Sequence, residues 1–493
     1  MRLQPRRRVM QSLKSIIVVA AMGGTALHCT DKPKPAPAPS AQTRCDGTFS
    51  SRDTRIDVTN PQPLSEVPGD QTFCDFHTFA WNNFLYLTQA VTDPDDSRVS
   101  TPRFLSYAPF YNMLRDDGAP APIPFPGGST MLQAGRLDQK QAGAGMDVLV
   151  DVADEEVVYD IRFNKAMYDF VVGNGYYTKQ GYDALCGTNA DAGPFTPCPN
   201  ETQLWLPWGD DKSMGAVEVK SAWRQFPEND CPESQMYCAG KNLGLVGMHI
   251  VQKTLTHGEW VWASFEHVAN APDCAPGFGS PISPLSPLGV GWSFFDPAKA
   301  PDGVMQSKRC GVTVDSPQCN LNPGDGGSFK QVNICRTDAL PAGGANEANC
   351  AVVEQSDSDP QANSGGNVAC LNATLQPRRD GVWKNYFLIG TLWTQGTQDP
   401  DKHFTIDLFQ APRPPALAKT AVGFPHLANT AMESFLQKGA TAYDPNVQLG
   451  LPNETKAGCF GCHNTEASNS NANLSHFPTK FNDLNKERVP VRR

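Results

Sequence analysis

The chain predicts an α+β fold: a large, mixed, β-rich body with a loop-rich, disulfide-bonded insertion and a small helical C-terminal segment. Three observations predict it. Aromatic and β-branched runs with strand-type alternation occupy residues 215–267 and 382–394. The stretch from Cys274 to Cys370 holds six cysteines among Gly, Pro, Asn and Asp clusters, with too little apolar periodicity to order itself. Residues 427–493 open on a short helical pattern and contain Cys459-Phe460-Gly461-Cys462-His463. At 493 residues the chain is long enough for a large core.

Taken in order, residues 1–28 read as a signal peptide. Arg2, Arg6, Arg7, Arg8 and Lys14 form a basic head, and the apolar run from Ile16 to Leu27 is too short to span a bilayer comfortably. Small residues Gly24 and Ala26 offer a cleavage site; the alternative is an uncleaved membrane anchor. Cys29 is a candidate for lipidation, although His28 stands where a lipoprotein box has a small residue. Residues 29–43, with Pro33, Pro35, Pro37 and Pro39, suit an extended tether. The expected location is outside the cytoplasm: the periplasm of a bacterium, or a membrane-anchored lipoprotein held through Cys29.

The body spans residues 44–426. Residues 74–88 predict a helix, with Phe76, Phe79, Ala80, Phe84 and Leu87 on one face. Asn164–Val172 predicts another, with Asn164 as cap and Gly173 as stop. Strands are expected at 216–223 and 382–394, and Leu245–Thr254 with Glu259–His267 reads as a hairpin around Thr256-His257-Gly258. Residues 274–370 form the cysteine-rich insertion. In the C-terminal segment, Asn429–Gln437 predicts a short helix, and Gly439, Pro445, Gly450 and Pro452 a loop leading to the cysteine motif.

Of 15 cysteines, two lie in that motif and Cys29 lies beside the signal, leaving an even dozen. In an exported chain these suggest up to six disulfides, with Cys186–Cys198, Cys231–Cys238 and Cys310–Cys319 as the nearest pairs. Connectivity does not follow from sequence. Without its first 28 residues the chain carries a formal charge of −15, which argues against nucleic acid as a partner.

Polar residues stand among the apolar strands. Alternation puts His249, Val251 and Lys253 on one face, and Trp260, Trp262, Ser264 and Glu266 on another, with His267 opposite. Glu218 and Lys220 add charges on the earlier strand. The simplest reading is a sheet with one solvated face, some internal ion pairs and an aromatic core. The functional reading is an acid/base or metal cluster, or a pocket lined by the two tryptophans.

The C-terminal motif carries the sharpest chemistry. Two thiols three positions apart, Cys459 and Cys462, can each add to one vinyl group of a porphyrin, and the adjacent His463 imidazole can bind the iron beneath the ring. The motif therefore predicts one covalent haem c. Zinc is the rival, with His476 as fourth ligand, but adjacent Cys462 and His463 diverge too far to share one tetrahedral ion easily. Only 30 residues follow His463 and none is Met, so His476 is the candidate sixth ligand. Met432, His426, His257 and Met248 are upstream alternatives, as is an open sixth position.

Residues 215–224 (Gly-Ala-Val-Glu-Val-Lys-Ser-Ala-Trp-Arg), 247–254 (Gly-Met-His-Ile-Val-Gln-Lys-Thr), 260–267 (Trp-Val-Trp-Ala-Ser-Phe-Glu-His) and Leu427-Ala428-Asn429-Thr430-Ala431-Met432-Glu433 resemble segments of large, poorly characterised bacterial cytochrome c family proteins. The resemblance covers most of residues 74–480 and leaves out 274–370. It implies covalent haem, iron ligation by His463 and electron transfer, but no substrate. The expected function is one-electron transfer to a redox partner protein. Two alternatives are a haem-dependent oxidoreductase whose large domain binds a substrate, and a non-catalytic surface lipoprotein that docks a redox partner.

Overall fold

The computed structural model describes residues 45–50, 54–92, 97, 100–119, 122–126, 133–134, 149–186, 206–210, 213–226, 242–257, 260–273, 283–297, 334–336, 364–394, 421–423, 428–434 and 489–490. In chain order these form β1 (Thr48–Phe49), β2 (Thr54–Arg55), α1 (Phe73–Thr88), β3 (Ala90–Thr92), β4 (Ser100–Pro102), β5 (Ala108–Pro109), α2 (Phe110–Met113), β6 (Gln133–Ala134) and β7 (Val158–Phe163). There follow α3 (Lys165–Gly173), α4 (Lys179–Cys186), β8 (Val217–Phe226), β9 (Asn242–Gln252), β10 (Val261–His267), α5 (Ser364–Leu375), β11 (Tyr386–Thr394), β12 (Ala421–Gly423) and β13 (Val489–Pro490). The fold is mixed and centred on a seven-stranded antiparallel sheet of order β12-β11-β10-β9-β8-β7-β5.

Helix α1 is the pivot of one face. Its N-terminus carries a capping box: Thr72 Oγ1 accepts from Asp75 N at 3.2 Å, and the Asp75 carboxylate accepts from Thr72 N at 3.0 Å. The same carboxylate accepts from Ser50 N and Ser50 Oγ, at 2.8 and 2.6 Å. Gly69, at φ +94°, leaves room for it, since a Cβ there would lie 2.7 Å from the Asp75 carboxylate. A Cys45–Cys74 disulfide fastens the preceding chain to the first turn. It closes 29 residues, which in the chain-entropy account stabilises by about 3–4 kcal/mol. Cys335 and Cys370 are also disulfide-bonded. Cys198, Cys231, Cys238, Cys310 and Cys319, from the nearest-pair expectation, lie outside the described residues.

The predicted helix at 74–88 is present, but it is buried nearly all round; only Tyr86 is not fully enclosed. Its polar side chains are enclosed rather than solvated, and most of them reach a partner within the protein. Asn82 donates to Gln62 O and Asn83 to Gln252 Oε1, both at 2.8 Å, and His77 Nδ1 lies 2.9 Å from Thr391 Oγ1. Phe76 stacks on Trp393 with centroids 3.8 Å apart, and Phe84 on Phe265 at 4.2 Å. Helix α5 completes this layer through Val368, Leu371 and Leu375. Residues 364–370, expected in a cysteine-rich loop, are therefore the first half of a helix packed on α1. The expectation missed it because Ser-Gly-Gly at 364–366 reads as a breaker, while the apolar spacing begins only at Val368.

The opposite face is covered as well. Ile161, Phe163, Val251, Trp262, Phe387 and Ile389 pack with α2 and with Met167 and Val171 of α3. Helix α3 begins as predicted: Asn164 Oδ1 accepts from Met167 N, and also from Val217 N at the start of β8. The hairpin is confirmed as β9–β10, with Val261 opposite Gln252 and Ser264 opposite His249. The strand expected from Val382 begins at Tyr386, after a 3-10 turn over Gly381–Asn385 that starts at a glycine with φ +62°. The short helix expected from Asn429 is a single turn over 428–434 in the described part, with Glu433 N donating to Asn429 O.

Burial of neutral imidazoles makes the fold acid-sensitive. Desolvation pushes His77 down to about 3 and His257 to about 4, from an ordinary 6.5. These lowered values mean that the unfolded chain binds more protons below pH 6.5, so stability is fully present above that pH and is lost as pH falls toward 4. Each histidine should contribute a slope of about 1.4 kcal/mol per pH unit in that window. Urea unfolding at pH 7, 6, 5 and 4.5 should show the fall, and His77→Leu should flatten it by about one proton.

Candidate functional site

The sheet register joins the polar sets that alternation had assigned to two faces. Ser264 stands opposite His249, Trp262 opposite Val251 and Glu266 opposite Gly247. Residues directly opposite in an antiparallel pair share a face, so His249, Ser264 and Glu266 form one polar strip across β9 and β10. The expectation of a solvated face is corrected: Ser264 and Glu266 are fully buried and His249 nearly so.

What covers the strip is the turn at residues 428–434. Asn429 Nδ2 donates to Phe265 O at 2.8 Å and to Ser264 Oγ at 3.2 Å. Asn429 Oδ1 accepts from Ala431 N at 2.9 Å, which holds the turn in shape. Thr430 N and Oγ1 both donate to the Glu266 carboxylate, the amide at 3.1 Å. Glu433 accepts from Asn429 N at 2.8 Å and approaches His249 Nε2 at 3.4 Å. Tyr159 Oη, from β7, donates to Ala431 O at 2.8 Å. Its phenol is raised above the ordinary range by burial, and then by the Glu433 charge. Gly247 is required for this fit, because a Cβ there would fall 2.9 Å from Asn429 Oδ1 and 3.0 Å from Nδ2.

Arg336 closes the network. It donates to Glu266 Oε1 and to Asp273 Oδ1, each at 2.7 Å, and its guanidinium lies 5.2 Å from the centre of the Phe387 ring. Burial opposes its charge, but Glu266 and Asp273 outweigh burial and hold it above the ordinary value. Removing one member of such a buried pair strands the other and costs about 3–5 kcal/mol. Sequence reasoning missed Arg336 and Asp273, whose only local signals are a neighbouring disulfide cysteine and a turn after β10.

The remaining candidates are placed elsewhere. Lys253 is fully buried between Trp208 and Trp260, 5.7 and 5.3 Å from their ring centres. Trp260 adopts φ +86°, a strained backbone for a bulky residue. The two tryptophans expected to line a pocket are spent differently: Trp260 flanks Lys253, and Trp262 packs against the α2–α3 layer. Glu218 is buried on β8. His267 is pushed down to about 4 by burial, and its Nδ1 accepts from Ala269 N at 3.2 Å.

Among the upstream ligand candidates, Met248 packs under α1, and Met432 packs with Tyr159, Phe294 and Ile334. The His257 ring meets the Phe76 ring edge-on at 4.9 Å, with its Nδ1 3.0 Å from Thr256 Oγ1. All three side chains are built into the core. Among the described residues, no group of three or more His, Cys, Asp or Glu could hold a metal ion, and no helix is long and apolar enough to cross a membrane. Cys29, His426, Cys459, Cys462, His463 and His476 lie outside the described residues.

Two predictions follow from the docked turn. Glu266→Gln and Arg336→Met should each lower unfolding free energy by about 3 kcal/mol, whereas the double variant should lose much less than their sum. Denaturant titration of all three proteins measures the coupling. Gly247→Ala should lift the turn and speed proteolytic cleavage after residue 434. The same substitution in an Asn429→Ala background should have little further effect, since the clashing amide is gone.

Comparison with protein-family models, with curated protein sequences and with solved structures finds no match, and identifies no family for the chain.

Proposed function

We propose that the chain is an exported c-type cytochrome that transfers single electrons through one haem attached at Cys459 and Cys462, with His463 as iron ligand. The observation that carries this reading is the pentapeptide itself, whose two thiols can form thioether bonds to the porphyrin vinyl groups while the adjacent imidazole binds the iron. Bound there, the haem supplies an iron that cycles between Fe(III) and Fe(II). The protein's part is to fix the iron's ligands, exclude water and present the haem edge to a redox partner. His476, 13 residues beyond His463, is the proposed sixth ligand. The packing of Met248, Met432 and His257 into the core supports a downstream donor over those three.

Three features support export. The first 28 residues have the composition of a signal peptide, Cys29 and the following prolines suit a lipidated tether, and the disulfides are of the kind an oxidising compartment preserves. The carrier reading is favoured over the oxidoreductase by what the polar strip does. His249, Ser264 and Glu266, which first suggested acid/base chemistry, are taken up in holding residues 428–434. That turn precedes the motif, and β13 after it pairs with β6. Both flanks of the motif segment are thus fastened to the body.

Mass spectrometry of the denatured protein should show one covalent haem, lost in a Cys459→Ala, Cys462→Ala double variant. His463→Ala should abolish the native absorption spectrum; an unchanged spectrum would overturn the assignment. With His476 in place, the reduced protein should be low-spin and indifferent to carbon monoxide. A high-spin form that binds carbon monoxide would instead favour the oxidoreductase.

A further inference from the structure

We draw no further inference here: the strongest candidate, the polar row that Lys220, His249 and Ser264 form directly opposite one another across β8, β9 and β10, belongs to the strip already described, where Asn429 and Glu433 of the docked turn engage Ser264 and His249.

Discussion

One carboxylate, that of Glu266, determines how the rest of the chain must close. It is fully buried on β10 and is met by Arg336 from one side and by Thr430 from another. A buried anion is tolerated only when paired and hydrogen-bonded. The chain after β10 therefore has to return a cation to the sheet face some 70 residues later, and a hydroxyl and amide 164 residues later. Those two returns bring the cysteine-rich stretch and the C-terminal segment onto the same strip. The network's net contribution to stability is small, since an apolar trio of the same shape often packs about as well; what is costly is to remove one member and leave the others buried.

The second constraint is burial on both faces. Antiparallel sheets often leave one face to water; here α1 and α5 cover one side, while α2, α3 and the turn at 428–434 cover the other. This explains why α1 is enclosed all round yet rich in Asn, Thr and His. Its polar groups find partners inside the protein, Asn83 Nδ2 with Gln252 and His77 Nδ1 with Thr391, while His77 Nε2, Trp81 Nε1 and Asn83 Oδ1 are buried without one among the described residues. The acid sensitivity of those imidazoles is a by-product of the enclosure.

Periodicity made α1, α3, β8, β9 and β10 legible from sequence, because each has a local cause: a cap, a run of branched residues or a turn. What was not legible is which alternating set meets which. His249 and Glu266 belong to different strands, and only the register Ser264↔His249 puts them on one face. Arg336 was invisible for a related reason, since its role is set by a partner 70 residues away and by nothing beside it. The C-x-x-C-H motif is the opposite case: the chemistry proposed for it needs only its own five residues, so the proposal is made from sequence without reference to the body.

The turn at 428–434 also gives the molecule a built-in test of its own completeness. Translation delivers it after every strand of the central sheet has been made, β12 ending at Gly423. A chain terminated before Ala428 would have the whole sheet and yet leave Glu266 without its Thr430 donors, Ser264 without Asn429, and the Tyr159–Phe294–Ile334 cluster without Ala431 and Met432. Such a product would open its polar strip to water at the site where a complete chain is closed. Prematurely stopped chains would thus be marked for proteolysis by their own sheet, and those that persist would be the ones long enough to have fastened the segment leading to Cys459.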